Sequence, residues 1–99
     1  MLYTIVCTDT PNSLEKRAAT RARHVSYLNR LIEDGRLVLA GPNPAIDSPD
    51  PGPAGMCGSL IVAEFPSLEA AQAWAAADPY STEGVFESVT VRPFITVFP

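Results

Sequence analysis

The stretch "GSLIVAEFPSLEAAQAWAAADP" (Gly58–Pro79) decides the fold, because it contains one strand, one helix and the boundary between them. Its first part, "GSLIVAEF" (Gly58–Phe65), is rich in apolar residues that favour extended structure, and it predicts a strand. Ser67 is placed to cap the alanine-rich helix that follows. That helix should end before Pro79, because the residue in front of a proline is pushed out of helical geometry.

The rest of the chain continues this alternation of strands and helices. Asn12 and Glu15 have the spacing of a capping box, which predicts the start of a helix, and Gly35 offers a left-handed stop after about Asp34. Apolar residues recur at helical spacing along this first helix and predict its buried face. That face comprises Leu14, Ala18, Val25, Leu28 and Ile32. The remaining predicted elements are strands at Leu2–Thr8, Arg36–Gly41 and Val85–Phe94.

The resulting order, β-α-β-β-α-β, is that of the ferredoxin-like α+β fold, in which a four-stranded antiparallel sheet carries two helices on one face. With 99 residues, the chain is expected to form one domain, 1–99. The segment Pro42–Gly55 holds five prolines and two glycines in fourteen residues, which predicts a surface loop without regular structure. Loops of this length are often functional.

Both faces of the predicted sheet are apolar. Leu60 and Val62 point to one face while Ile61 and Ala63 point to the other, and the first strand shows the same pattern. Two helices cover only one face, so the other face would remain exposed to water. A homodimer packed sheet to sheet is the simplest solution.

Charge and composition argue against several classes of function. The net charge is −4 and no basic stretch is long enough to follow a phosphate backbone, so nucleic-acid binding is not expected. No apolar run approaches the length of a membrane span and no export signal is evident, so we expect a cytoplasmic protein without membrane association. Cys7 and Cys57 are expected to be reduced. One histidine and two distant cysteines do not make a metal site, and no glycine motif indicates a nucleotide cofactor.

His24, the only histidine, lies at the edge of the apolar stripe of the first helix. Arg17 and Arg21 precede it in the same row of that helix. In one interpretation all three are surface residues that solvate the helix, and His24 taken alone favours this one. In the other, His24 is a neutral base at the edge of a cleft and the arginines attract an anion.

Asp78 lies in the stretch "AAADPYSTEGVF" (Ala75–Phe86), at the end of the second helix. The negative end of a helix disfavours an acid by about 0.3–1 kcal/mol, so its presence needs a reason. Asp-Pro can be a turn signal and nothing more. Alternatively, Asp78 orients the imidazole of His24 and stabilises its protonated form, since the two helices should pack side by side.

Ser59 and Tyr80 are further candidate contacts for a ligand. Ser59 lacks the sequence context of a hydrolase nucleophile, which leaves it a binding role at most. Tyr80 follows the Asp-Pro pair and can donate a hydrogen bond, although a buried tyrosine near a turn fits the pattern equally well.

Several of these segments together resemble the YciI-like, or YCII-related, family. The similarity covers nearly the whole chain, and the segments that carry it are "SLEKR", "EDGRLVLAGPNPAIDSPDPGPAG", "IVAEFPSLEAAQAWAAADPY" and "GVFESVTVRPF". The resemblance implies a dimeric α+β barrel similar to muconolactone isomerase, and an active site built on a His–Asp pair that corresponds to His24 and Asp78. One branch of the family resembles dehydrochlorinases of chlorinated hydroxyquinols, whereas this sequence is more similar to a housekeeping branch.

Two functions are therefore open from the sequence. The first is a small enzyme that performs elimination or isomerisation on a small, anionic or aromatic molecule, chemistry that needs one well-placed base and no cofactor. His24 would accept the proton, Asp78 would orient it, and Arg17 or Arg21 would contact an anion. The second is a non-catalytic module that binds a small molecule or another protein.

Overall fold

The computed structural model describes all 99 residues and has the predicted order of strands and long helices, with one additional short α-helix and one turn of 3-10 helix. The strands are β1 (Leu2–Asp9), β2 (Leu37–Pro44), β3 (Met56–Glu64) and β4 (Phe86–Phe94). The helices are α1 (Leu14–Glu33), α2 (Leu68–Ala77) and the one-turn α3 (Pro79–Thr82). The four strands form one antiparallel sheet in the order β2-β3-β1-β4. The ferredoxin-like α+β fold predicted from the sequence is confirmed.

The core lies between the sheet and the helices. Alternate residues of the two central strands point towards the helices, and the register pairs Tyr3 with Ala63 and Ile5 with Ile61. Leu31 of α1 and Ala71 of α2 close the core from the other side. The small residues of α2 allow that helix to approach the sheet closely, because alanine adds little volume at the contact.

The opposite face of the sheet, here called the outer face, is also apolar. Val6, Leu39 and Phe94 are 48%, 50% and 41% exposed, and Val6 pairs with Leu60 across the β1–β3 ladder. The alternation predicted for Leu60 and Ile61 is therefore present. No element of the chain covers this face, since the helices pack on the inner one.

The predicted capping box of α1 is wrong. Asn12 lies outside the helix with a φ of 58°, and Ser13 occupies the N-cap position without a side-chain cap. The hydroxyl of Ser13 instead donates a hydrogen bond to Asp9. The helix start is thus fixed by a contact with β1 rather than by a local motif. The predicted stop is correct, since α1 ends at Glu33 and Gly35 has a φ of 69°.

The predicted buried face of α1 is also wrong in part. Of its five apolar residues, only Leu28 is buried, while Leu14, Val25 and Ile32 are exposed. The buried residues of this helix are Arg17, Thr20, Leu28 and Leu31. The helix is rotated relative to its apolar stripe because Arg17 is buried against Asp9, and this rotation turns Val25 and Ile32 towards a cleft beside β2.

The proline-rich segment Pro42–Gly55 contains more regular structure than predicted. Strand β2 continues through Pro42 to Pro44, and Gly52–Ala54 form a turn of 3-10 helix. A proline has no backbone N–H, but β2 is an edge strand and its outer edge has no ladder to complete. The loop proper is therefore shorter than the sequence pattern suggested.

The predicted boundaries of α2 are correct. The Ser67 hydroxyl accepts a hydrogen bond from the backbone N–H of Ala70 at 3.0 Å, as expected of an N-cap. The helix ends at Ala77, directly before Asp78 and Pro79. No helix of the protein combines the length and apolar character needed to cross a bilayer.

Candidate active site

Asp78 lies at the junction of two helices, and this position explains the acid at the end of α2. Its backbone is extended at ψ 131°, which ends α2 and turns the chain into α3. Its Oδ1 accepts a hydrogen bond from the backbone N–H of Tyr80 at 2.9 Å. Asp78 is therefore the N-cap of α3, where negative charge is favourable, as well as the C-cap of α2, where it is not.

The same carboxylate oxygen contacts His24. Nδ1 of His24 lies 2.8 Å from Oδ1 of Asp78, and the two side chains are 13% and 1% exposed. A carboxylate can only accept, so we assign the proton on the ring to Nδ1, which donates to Oδ1. Nε2 is then the ring nitrogen with a free lone pair. The burial of Asp78 fixes the plane of the imidazole through this bond.

Tyr80 holds the imidazole from one side. Its ring stacks on the ring of His24 with a centroid distance of 3.8 Å and an interplanar angle of 9°. Phe86 packs edge-on against Tyr80 at 5.6 Å and 81°, which supports the phenol in turn. Burial raises the pKa of Tyr80, although Arg17 and Arg21 act in the opposite direction. The phenol thus keeps its proton at neutral pH.

Arg17 forms a buried ion pair that the sequence did not reveal. Its Nε donates to Oδ2 of Asp9 at 2.7 Å and its Nη2 donates to Oδ1 at 2.9 Å. Nη2 also donates to the carbonyl of Gly58 and to the hydroxyl of Ser59, both at 2.9 Å. Burial by itself would lower the pKa of Arg17, but the hydrogen bond and charge of Asp9 raise it above its usual value.

Asp9 was not among the sequence candidates. It ends β1 and continues the inward alternation of Tyr3, Ile5 and Cys7, which places its carboxylate under α1. An acid at the inward position of an apolar strand, with an arginine eight residues later, is the signal that could have identified the pair. Gly58 completes the arrangement, since a Cβ at that position would lie 2.2 Å from the carbonyl oxygen of Cys7.

A cleft of about 300 Å³ lies between α1 and the β2–β3 edge of the sheet. It brings together five of the six candidate residues: Arg17, Arg21, His24, Ser59 and Tyr80. Asp78 lies behind His24, buried from the cleft. The far part of the cleft is lined by apolar residues, among them Val25, Leu28, Ile32 and Leu37.

The second oxygen of Asp78 has no partner. Oδ2 is buried without a hydrogen bond, and it is the only buried side-chain polar atom of the protein in that condition. Its charge acts on the core, because burial and the nearby Asp78 together raise the pKa of the Cys7 thiol to about 12. The structure contains no cluster of three or more potential metal-ligating side chains. His24 is thus held by a hydrogen bond to Asp78 and by stacking on Tyr80, and Arg17 is held by Asp9, Gly58 and Ser59.

Comparison with known proteins identifies relatives that cover the whole fold. The YCII-related domain matches residues 1–95. Protein YciI of Escherichia coli is 57% identical over 98 residues, which is 99% of this chain and all of that protein. The xenovulene A biosynthesis cluster protein asL2 of Sarocladium schorii is 35% identical over 82% of this chain and 74% of its own length.

A solved structure is similar over the same range. The 5-chloro-2-hydroxyhydroquinone dehydrochlorinase TftG of Burkholderia phenoliruptrix, in complex with 2,5-dihydroxybenzoquinone, superimposes with a TM-score of 0.84 at 26% identity. The match covers 96% of this chain and 94% of TftG. The matches in sequence and in structure agree: this chain belongs to the YCII-related family.

Proposed function

We propose that this protein is a small enzyme that uses His24 and Asp78 for acid–base chemistry, elimination or isomerisation, on a small anionic or aromatic molecule. The observation that carries the proposal is the hydrogen bond between His24 Nδ1 and buried Asp78, which leaves Nε2 of a cleft-lining histidine free to accept a proton. The similarity to TftG, a dehydrochlorinase, supports the same class of reaction.

The chemistry requires only groups that the chain supplies. Nε2 of His24 takes a proton from an acidic carbon of the substrate, and the electron pair of that C–H bond forms a new double bond. In an elimination a leaving group departs with its bonding electrons, whereas in an isomerisation the proton returns at a different carbon. The imidazolium formed is stabilised by the carboxylate of Asp78, which needs no movement to do so.

The proposal is tested by assaying the purified protein against chlorinated and non-chlorinated hydroxyquinols and against keto acids. For any substrate that is turned over, His24→Gln is expected to lower kcat roughly 10²- to 10⁴-fold, the usual contribution of a general base. Asp78→Asn should lower kcat without a matching change in KM. Asp50→Asn, which removes an exposed carboxylate outside the cleft, is the matched control. A substrate turned over equally well by wild type and His24→Gln would contradict the proposal.

The alternative function, a non-catalytic binding module, makes a different prediction in the same experiment. It requires that a small molecule bind in the cleft without conversion. A ligand that raises Tm but is recovered unchanged after long incubation, for every member of the panel that binds, would favour this alternative.

We also propose that the protein is a homodimer packed through the outer face. The support is the unpartnered apolar surface of Val6, Leu39 and Phe94, which water would otherwise contact. Light scattering at micromolar concentration should give twice the monomer mass. Leu39→Lys should shift this mass towards the monomer, and Lys16→Glu, an exposed change on α1, should leave it unchanged. A wild-type monomer would contradict the proposal.

We propose a cytoplasmic location, in line with the expectation from sequence. The support is the state of the cysteines, since both Cys7 and Cys57 are free thiols in the structure. A reporter fusion that is found in an oxidising compartment would contradict this location.

A further inference from the structure

The two ends of the cleft differ in chemistry. Towards the N-terminal half of α1 it is lined by Arg21, His24 and Tyr80. Towards the C-terminal end it is lined by Leu28 and Ile32. Eight residues separate His24 from Ile32, which is about 12 Å along a helix that rises 1.5 Å per residue. A ligand that fills the cleft therefore meets polar groups at one end and aliphatic groups at the other.

The polar end carries one cation that nothing in the protein neutralises. Arg17 is bound to Asp9, and Arg21 makes no salt bridge or side-chain hydrogen bond. None of the fourteen residues that line the cleft is acidic. On a protein with a net charge of −4, this is a local positive surface that favours an anion.

The Tyr80 hydroxyl adds a donor to this end. The hydroxyl accepts from the neighbouring guanidinium of Arg17, so its own proton is not used in that contact, and the Tyr80 ring is fixed by His24 and Phe86. A phenol that keeps its proton and accepts from a guanidinium can still donate that proton to a ligand oxygen. Arg21 and Tyr80 thus supply charge and a hydrogen bond beside the base, His24.

We infer that the cleft takes an amphipathic monoanion, whose charged oxygen is bound by Arg21 and the Tyr80 hydroxyl and whose apolar body lies along Val25, Leu28 and Ile32. The inference deepens the proposed function and rests on it for the site, not for the reaction. It makes Arg21 the residue that determines charge specificity. It also places the charged group at the same end of the cleft as His24, so Arg21 stabilises negative charge that builds up on the substrate during proton removal.

The test is calorimetric titration with three probes: 3-phenylpropionate, its neutral amide 3-phenylpropionamide, and acetate. The first has charge and an apolar body, the second has the body alone and the third has the charge alone. Phenylpropionate should bind about tenfold or more tightly than either of the others, the size expected from one hydrogen bond to a charged group or from burying several methylene groups.

Variants assign each half of the preference to its residues. Arg21→Gln should abolish the preference for phenylpropionate over its amide, while Arg30→Gln, an exposed arginine of α1 outside the cleft, should preserve it. Tyr80→Phe keeps the stacked ring. It should lower the affinity for phenylpropionate and acetate, which are anions, but not the affinity for the amide. Ile32→Ser should reduce the difference in affinity between phenylpropionate and acetate. Far-UV circular dichroism on each variant checks that the fold is retained.

Two outcomes overturn the inference: no saturable binding of phenylpropionate at millimolar concentration, or equal affinity for acid and amide in the wild type. Binding is measured without turnover, so the two proposals fail separately. If anions bind in a way that depends on Arg21 but are not converted, the inference about the ligand is supported and the proposed enzymatic function is contradicted. If a neutral substrate is converted at a rate that Arg21→Gln does not change, the enzymatic function is supported and the inference about the ligand is contradicted.

Discussion

Asp9 and Asp78 are both buried carboxylates that contact residues of α1, but they differ in how many of their oxygens have hydrogen-bond partners. Both oxygens of Asp9 are bonded, to the guanidinium of Arg17 and the hydroxyl of Ser13. Only one oxygen of Asp78 is bonded, and its Oδ2 is left without a partner in the core. The first carboxylate is neutralised by a permanent cation, while the second faces a group that is cationic only when protonated.

Under the proposed function, this difference separates a structural charge from a functional one. Burying an unpartnered carboxylate oxygen costs free energy, so a protein under selection for stability alone would satisfy it or replace it. Asp78 leaves capacity for stabilising a positive charge that appears on His24 only after proton uptake. Asp9 cannot stabilise a second positive charge in this way, because both of its oxygens are already bonded and its charge is paired with Arg17.

The largest expected effect is on stability at Asp9. Asp9→Asn removes the anion and leaves Arg17 as a buried, unpaired cation, which typically costs about 3–5 kcal/mol of unfolding free energy. Asp78→Asn is the same chemical change at the other site and should cost less than about 1 kcal/mol, because asparagine caps a helix as well as aspartate does. Urea unfolding of both variants measures the two losses of unfolding free energy. Equal losses would remove the distinction between the two carboxylates.

A double substitution refines the interpretation of Asp9. If most of that loss comes from the unpaired cation, Asp9→Leu combined with Arg17→Met should recover more than half of it, since replacing both partners by apolar residues is often nearly neutral. The same urea titration gives the answer. Losses that simply add would show that the hydrogen bonds of Arg17 to Gly58 and Ser59, and not its pairing with Asp9, stabilise this region.

A smaller effect on stability is expected at Cys7, a residue of β1 whose thiol is influenced by both carboxylates. Burial and then Asp78 raise the pKa of its thiol to about 12, Arg17 opposes them, and Asp9 contributes less. Because the pKa of the thiol in the folded protein exceeds its usual value of 9.0, this thiol stabilises the fold fully below pH 9, and that contribution is lost as pH rises from 9 towards 12.

The alkaline loss is measured by urea unfolding at pH 8 and pH 10.5. Cys7→Ala should lose less stability between these two values than wild type, and Asp78→Asn should also reduce the loss, more than Asp9→Asn does. Cys57, which is exposed, provides the control, since Cys57→Ala should match wild type. An unchanged loss in Cys7→Ala would show that other groups, such as Tyr27 and Tyr80 with their raised pKa values, account for it.

The sequence predicted the fold well because strand and helix patterns are local. Ser67, Pro79 and Gly35 each mark a boundary through their own backbone preferences, and all three boundaries were correct. Asn12 failed because its predicted role assumed a local cap, whereas the start of α1 depends on the contact of Ser13 with Asp9. The extension of β2 through Pro42 and Pro44 was missed because only the topology shows that β2 is an edge strand.

Five of the side chains named from the sequence line one cleft and the expected contact of Asp78 with His24 is present, but the contacts of Arg17 were not predicted. His24 and Asp78 could be proposed as neighbours because a lone histidine and an acid at a helix end are both unusual. Arg17 or Arg21 was expected to contact an anion, and the structure pairs Arg17 with Asp9. Pairing between a strand end and a helix depends on the rotation of that helix, and the apolar stripe of α1 indicated a different rotation.

The most direct test of the His24–Asp78 arrangement is the tautomer of the imidazole, which long-range proton–nitrogen NMR reports on uniformly labelled protein. His24 is the only histidine, so its signals need no assignment by mutation. We expect the neutral ring to carry its proton on Nδ1, with Nε2 unprotonated, and Asp78→Asn to shift the ring towards a mixture of tautomers. A neutral ring protonated on Nε2 in the wild type, or identical spectra for wild type and Asp78→Asn, would contradict the account.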